Sequence, residues 1–272
     1  MFKILLIAVV VILVTFGLVK LVDKFIPSKF KPFLIIALWV IIAFLGYKTY
    51  MSIYEPIQFN EVKNKRYAEV IKNLIDIRDS QLAYRQVNGK FADNFDNLVK
   101  FIDTAKFTIT QRRDTSIVDV EATKRFGGVI TTKSIVLIDT LGFVSVKDSL
   151  FKTSTRYKTM MNVPTIDIEK YDEWVNSLPT DTKAKEDYKK EMEAGKTFQL
   201  KAGVLEQNDV KIPVFEAKVK KDVILFDQNR DLVIQENQVV SVDGVNGDAL
   251  KVGSMDEVKT NGNWPKTYGD NE

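Results

Sequence analysis

Apolar positions crowd into two unbroken runs near the N-terminus and become periodic after them. Ile4–Val19 (ILLIAVVVILVTFGLV) holds no charge between Lys3 and Lys20, and Pro32–Tyr47 (PFLIIALWVIIAFLGY) holds none between Lys31 and Lys48. Each run has 16 residues, short of the roughly 20 that cross about 30 Å of hydrocarbon. Leu21 and Val22 extend the first run and Tyr50 to Tyr54 the second, while Lys20 and Lys48 can snorkel. The pattern predicts a transmembrane helical hairpin in residues 1–53, with spans at about 3–22 and 32–53 and a short basic loop between them. A cleaved signal peptide is a competing reading of the first run, but no small-x-small site follows it. A buried core hairpin is a third, and two such dense runs back to back argue against it.

The loop, KLVDKFIPSKFK, carries four Lys and one Asp. The positive-inside rule places it in the cytoplasm, with both ends and the C-terminal domain outside. The opposite topology would rest on Lys48, Lys63, Lys65 and Arg66 holding the second span.

Beyond Glu55-Pro56, where proline disfavours helix in the residue before it, the period changes to that of an amphipathic helix. Asn60 is a candidate N-cap for it. Tyr67, Val70, Ile71, Leu74, Ile75, Ile77 and Leu82 fall close to i, i+3, i+4, i+7, opposite Lys65, Glu69, Lys72, Asp76 and Asp79. Asn88-Gly89 is a stop signal. A second short helix, capped by Asp93 or Asn94, carries Phe95, Leu98, Val99 and Ile102, with Phe91 tucked under the intervening turn. These stripes suit packing on a sheet, and part of the longer one, Tyr67, Val70, Ile71 and Leu74, also suits a subunit interface.

From Lys106 onward β-branched residues and alternation predict strands. Phe107–Thr110 is one, and Ser134–Asp139 and Gly142–Val146 flank a short turn. Thr197–Leu205 and Val210–Val219 form a hairpin around Gln207-Asn208-Asp209. Val223–Phe226, Leu232–Gln235 and Val239–Val242 follow as further strands. A charged helix is expected at Lys183–Ala194 within the polar stretch from Asp167 to Lys196. The last residues, NGNWPKTYGDNE, read as a flexible tail with Trp264 as a docking residue. The expectation is an α+β chain: membrane hairpin (1–53), amphipathic membrane-proximal helical segment (54–105), and a mainly antiparallel β-rich domain (106–272).

Composition narrows the chemistry. The 272 residues include no His and no Cys, which removes imidazole–nucleophile catalysis, disulfides, thiolates, structural zinc and Cys-held iron–sulfur clusters. The formal charge of +3 is uneven: residues 1–53 carry +5 and residues 54–272 carry −2. A nucleic-acid surface needs a concentrated basic face, so no nucleic-acid partner is expected.

The block RYAEVIKNLIDIRDSQLAYRQVNGKFADNFDNLVKFIDT (Arg66–Thr104) resembles the helix and following segment of type II secretion pseudopilins. It departs from them in lacking the prepilin-peptidase site and in having two spans. Tyr54–Phe59, the same block, VPTIDIEKYDEW, Pro213–Leu225, Leu250–Val258 and Gly262–Trp264 together are similar to uncharacterised membrane-anchored envelope proteins of Bacteroidota. That resemblance implies a tethered envelope domain and transfers no catalytic residue.

Individual site motifs do not assemble. Asp227-x-Asn229-x-Asp231 begins like a calcium loop, but Leu232 and Gln238 stand where an EF-hand needs Gly and Glu. Asp243–Asp248 is explained by turns. Gly127-Gly128 and Leu141-Gly142 lack the Walker A spacing. Asp76 and Asp79 share a helical face, with Lys72 and Arg78 as solvated neighbours. No catalytic, cofactor-binding or metal residue is assigned; Tyr67, Val70, Ile71, Leu74 and Trp264 are the candidate interaction residues. The expected role is a non-enzymatic, inner-membrane-anchored periplasmic scaffold of a secretion or energy-transducing assembly. Its partners would be the lipid bilayer and other envelope proteins or further copies of itself. The alternative is a tethered carboxylate enzyme or ligand-binding domain acting, for example, on cell-wall glycans.

Overall fold

The computed structural model describes residues 30–207 and 209–269, together with Gly17 and Lys20. The expected first span, about residues 3–22, and most of the basic loop lie outside the described residues. The chain divides into two compact units, Met1–Gln58 and Phe59–Glu272.

Helix α1 covers Lys31–Asn88. Its most apolar 18-residue stretch has a mean hydropathy of 1.9 and none of it is buried, so by length and composition this helix can cross a membrane. The expected break at Glu55-Pro56 and the cap at Asn60 are absent, because Pro56 lies inside the helix. An interior proline removes one ladder hydrogen bond at a cost of about 3 kcal/mol, and here the turns on either side outweigh it.

The second unit is built around one hydrophobic core. The stripe of α1 supplies Tyr67, Val70, Ile71, Leu74 and Ile77, all fully buried, as the sequence period requires. Gln81 then fixes the chain beyond Gly89: its amide accepts from the Ala92 N–H and donates to the Ala92 carbonyl, each at 2.9 Å. This turns Phe91 inward against Phe215, with ring centroids 4.6 Å apart. Helix α2 (Phe95–Thr104) starts where expected, with the Asn94 side chain accepting from the Asn97 N–H at 2.8 Å. It buries Leu98, Phe101 and Ile102.

Among the described residues, five strands form two antiparallel sheets. Strands β1 (Lys106–Val118) and β2 (Thr132–Ser145) make a two-stranded ribbon with the short helix α3 (Val120–Arg125) at its tip. The turn expected between Asp139 and Gly142 is instead interior to β2. Ile109 pairs with Gly142 and Thr110 with Thr140, leaving Leu141 as an extra residue. Glycine in a strand here marks a β-bulge and not a reversal.

Helices α4 (Val146–Phe151), α5 (Ile168–Ser177) and α6 (Lys183–Glu193) follow. Helix α6 matches its expectation, whereas α5 lay hidden in the polar stretch. The expected hairpin is present as β3 (Gln199–Gln207) and β4 (Val210–Lys220), and β4 also pairs with β5 (Ala249–Gly253).

Three expected strands are corrected. Val223–Phe226 begins in the helical turn α7 (Lys221–Ile224), and Leu232–Gln235 lies within α8 (Arg230–Asn237), which Asn229 caps. Val239–Val242 is irregular, with Val240 and Val242 exposed. Short apolar runs do not separate helix from strand, and tertiary packing of Val223, Ile224, Leu225 and Val233 decided these. The described part of the tail, to residue 269, is docked where a flexible segment was expected: Trp264 is 2 % exposed, and Gly262 bridges to Val252.

Candidate interaction surface

Among the described residues of the second unit, the ribbon gathers the most exposed apolar side chains, while others such as Val240, Val242 and Ile168 stand singly or in short loops. Thirteen residues of β1 pair along β2, a length of roughly 40 Å at about 3.3 Å per residue. At its base the Val146 N–H donates to the Ala105 carbonyl at 3.1 Å. At its tip Asp119 caps α3 by accepting from the Ala122 N–H at 3.0 Å, and Gly127 and Gly128 reverse the chain with φ of 67° and 95°. That conformation explains the glycine pair without any phosphate.

Alternation along the ribbon places apolar residues on both faces. Phe143, Ile138 and Val136 lie on one face, Ile117 and Leu137 on the other; Ile138 is 68 % exposed and Phe143 65 %. Val120, Phe126, Val129 and Ile130 are exposed at the tip. Arg113 on β1 pairs with Asp139 on β2, and Arg112 sits 3.8 Å from Asp114. A two-stranded ribbon is marginal alone, and contiguous exposed apolar surface marks interaction sites.

The residues singled out from sequence are elsewhere. Tyr67, Val70, Ile71, Leu74 and Trp264 are core residues. They hold the second unit together and present no surface on the folded chain. What the sequence reading missed was the ribbon; its signal was present in SIVLID and GFVSV, strands whose apolar residues outnumber the inward-facing positions of a two-stranded element.

A buried polar cluster fastens α1 to α7 and α8. Lys221 is 0 % exposed; its Nζ donates to the carbonyls of Glu236 at 2.6 Å and Val245 at 2.8 Å, and lies 3.2 Å from Glu236 Oε1. Burial pushes its amine pKa down, and the Glu236 charge opposes that. Lys63 reaches Glu236 at 3.0 Å and Tyr67 donates to it at 3.3 Å. Burial, with Glu236 alongside, drives the Tyr67 phenol well above its ordinary range. Next to this cluster Asp222 accepts from Tyr188 at 2.6 Å and Asn237 at 2.7 Å. The Lys221 amine is thus bonded to two carbonyls and a carboxylate, which makes the cluster a structural lock, while the Asn237 Oδ1 at its margin is buried without a partner among the described residues.

The weighed motifs fall into similar structural roles. Asp227 is held by Arg66. Asp76 is held by Arg156 at 2.6 and 3.0 Å, while Asp79 faces Arg78 at 3.0 Å. The Asp243–Asp248 loop wraps Lys221 through the Val245 and Asp248 carbonyls. No group of three or more acidic residues among the described residues could hold a metal ion.

The concavities are open. One of about 460 Å³ lies against Leu82, Arg85, Phe91 and Pro213, and one of about 270 Å³ against Tyr84, Lys90, Asp93 and Gly203. A third, of about 450 Å³ at the β3–β4 turn, has Glu206, Asp256 and Glu257 around it. Lys259 bonds Glu257 at 2.6 Å and holds its carboxyl below the usual range.

Compared with protein-family models, curated proteins and solved structures, the chain matches none.

Proposed function

We propose that this chain is a non-enzymatic, membrane-anchored interaction subunit of a bacterial envelope assembly. Two N-terminal spans hold it in the inner membrane, the second unit stands in the periplasm, and the β1–β2 ribbon docks neighbouring subunits. The observation that carries this reading is the ribbon itself, which leaves Val136, Ile138, Leu141 and Phe143 in solvent. The apolar exposed stretch of α1 and the +5 charge of residues 1–53 support the anchor and its orientation. The resemblance to envelope proteins of Bacteroidota supports the compartment.

Photo-cross-linking from Phe143 in native membranes, followed by mass spectrometry, tests the docking role. A covalent adduct with another envelope chain or a second copy is expected; recovery of the isolated monomer alone overturns it. A reporter that is active only after export, fused after residue 54, is expected to be active. Activity confined to a cytoplasmic reporter at the same point removes the periplasmic assignment.

A further inference from the structure

The two long edges of the ribbon are chemically different. Among the described residues neither edge has a strand beside it, since β1 pairs only with β2. The β1 edge carries Lys106, Arg112, Arg113 and Asp114, and charges of this kind are what keeps an open edge from accepting another strand. The β2 edge from Thr132 to Thr140 reads TKSIVLIDT, with four consecutive apolar residues and no proline. The Leu141 bulge ends this regular nine-residue stretch.

Building on the reading of the ribbon as a docking element, we infer that its partner is a second copy of this chain. The two β2 strands would pair antiparallel about a two-fold axis at Val136. In an antiparallel pair, directly opposed side chains share a face. Centring on Val136 sets Val136 against its own copy, Ile135 against Leu137, Ser134 against Ile138, and Thr132 against Thr140. Lys133 then meets Asp139 of the other copy, twice by symmetry.

This register is self-complementary in both polarity and charge, as an isologous contact demands. Asp139, already facing Arg113, is a carboxylate with room for a second donor. The corresponding pairing of two β1 strands about Arg113 would match Arg112 with Asp114 but set Arg113 against Arg113, a like-charge opposition that destabilises. The product is a four-stranded sheet, β1-β2-β2-β1, in place of two marginal ribbons. Its gain is pairing of the open ladder and cover for Val136, Leu137 and Ile138.

The chain contains no Cys, so single cysteines report the register without background. In native membranes holding the full chain, Val136→Cys treated with a short thiol-reactive cross-linker is expected to yield a product of twice the monomer mass. Ser134→Cys and Ile138→Cys are expected to stay monomeric when expressed singly and to cross-link when co-expressed, because these positions oppose each other. Lys133→Glu in the Val136→Cys background is expected to lower the dimer yield several-fold.

Cross-linking through Arg113→Cys with a monomeric Val136→Cys overturns the inference and leaves the docking role of the ribbon standing. The same holds if the ribbon captures only a different envelope protein. If Val136→Cys remains monomeric and Phe143 captures nothing, both the inference and the functional reading fall. These substitutions lie on exposed ribbon positions away from the core, so loss of folding does not confound them.

Discussion

Arg66 grips Asp227 through two parallel hydrogen bonds, Nη1 to Oδ1 at 2.6 Å and Nη2 to Oδ2 at 2.7 Å, while Nη1 also donates to the Ile224 carbonyl at 2.7 Å. One guanidinium thus ties α1 to the end of α7. Burial alone would raise the Asp227 carboxyl pKa, but the Arg66 and Gln228 bonds hold it below the ordinary value. The fork geometry is specific to arginine. Arg66→Lys is expected to cost about 1–2 kcal/mol of unfolding free energy, read by urea denaturation. A double-mutant cycle with Asp227→Asn should return a coupling of about 1 kcal/mol or more. Additive single losses would mean that the pair holds nothing together.

Lys221 and Glu236 form the most deeply buried ion pair of the polar cluster. Lys221→Ala leaves two buried carbonyls and one side of a carboxylate without their donor, and is expected to cost roughly 3–5 kcal/mol. Lys221→Met combined with Glu236→Gln is expected to be milder than Lys221→Ala, since it removes the charges together while keeping volume. Thermal unfolding of the three proteins checks the order. A double variant as unstable as the alanine variant would contradict the account.

Gly253 has φ of 76°, and a Cβ placed there would sit 2.2 Å from the Phe215 carbonyl oxygen. Strands β4 and β5 therefore close only over a hydrogen atom. Gly253→Ala is expected to lose about 3 kcal/mol or more, from both φ strain and displacement of β5. Gly247 has φ of 84° with open space around it, so Gly247→Ala isolates the conformational cost and should lose only about 1 kcal/mol. Equal losses at the two sites would exclude the steric clash as the cause.

Asp222 sets an acid limit. Burial alone would raise its pKa, but Tyr188, Asn237 and Arg230, the last at 3.1 Å, hold the carboxyl below its ordinary value. A depressed folded-state value means that the unfolded chain binds the proton more readily. The contribution of Asp222 is therefore complete above the ordinary carboxylate pKa, about 4, and is lost as pH falls through the lower folded-state value. Denaturation midpoints measured from pH 7 to pH 2 should fall less steeply for Asp222→Asn than for the wild-type chain in that acid window. Parallel curves would place the acid sensitivity elsewhere.

Helices with a full apolar stripe or a dense run of charges were legible before folding, whereas a cap alone was not: Asn229 and Asp167 cap helices that were not expected. The Tyr67–Ile77 stripe buries as its period demands, Asn94 caps α2, and the charged run at Lys183–Glu193 is helical, with the structure adding Thr182 as its cap. The β3–β4 reversal was legible because Asp209, at φ of 62°, is a residue type that tolerates that conformation. Short apolar runs were not legible. VILF and LVIQ have the composition of strands, yet Lys221 must point inward to reach Glu236 and Val245, and a helical turn delivers it there. Leu141-Gly142 carries a turn composition, but pairing with Ile109 and Thr110 stretches it into a bulged strand.

The interaction surface divides in the same way. The apolar run of α1, the charge split at residue 53 and the lack of His and Cys are properties of the chain alone, because hydropathy, charge and available chemistry do not depend on which residues meet. Which apolar residues end up inside is different. Tyr67 and Trp264 have the composition of interface residues, as do Ile138 and Phe143, and local pattern cannot rank them. Burial is a many-body outcome: α8 and Tyr268 close over Tyr67, and the segment beside β5 carries Trp264 into the core, while the ribbon, two-stranded among the described residues, leaves Ile138 and Phe143 in water.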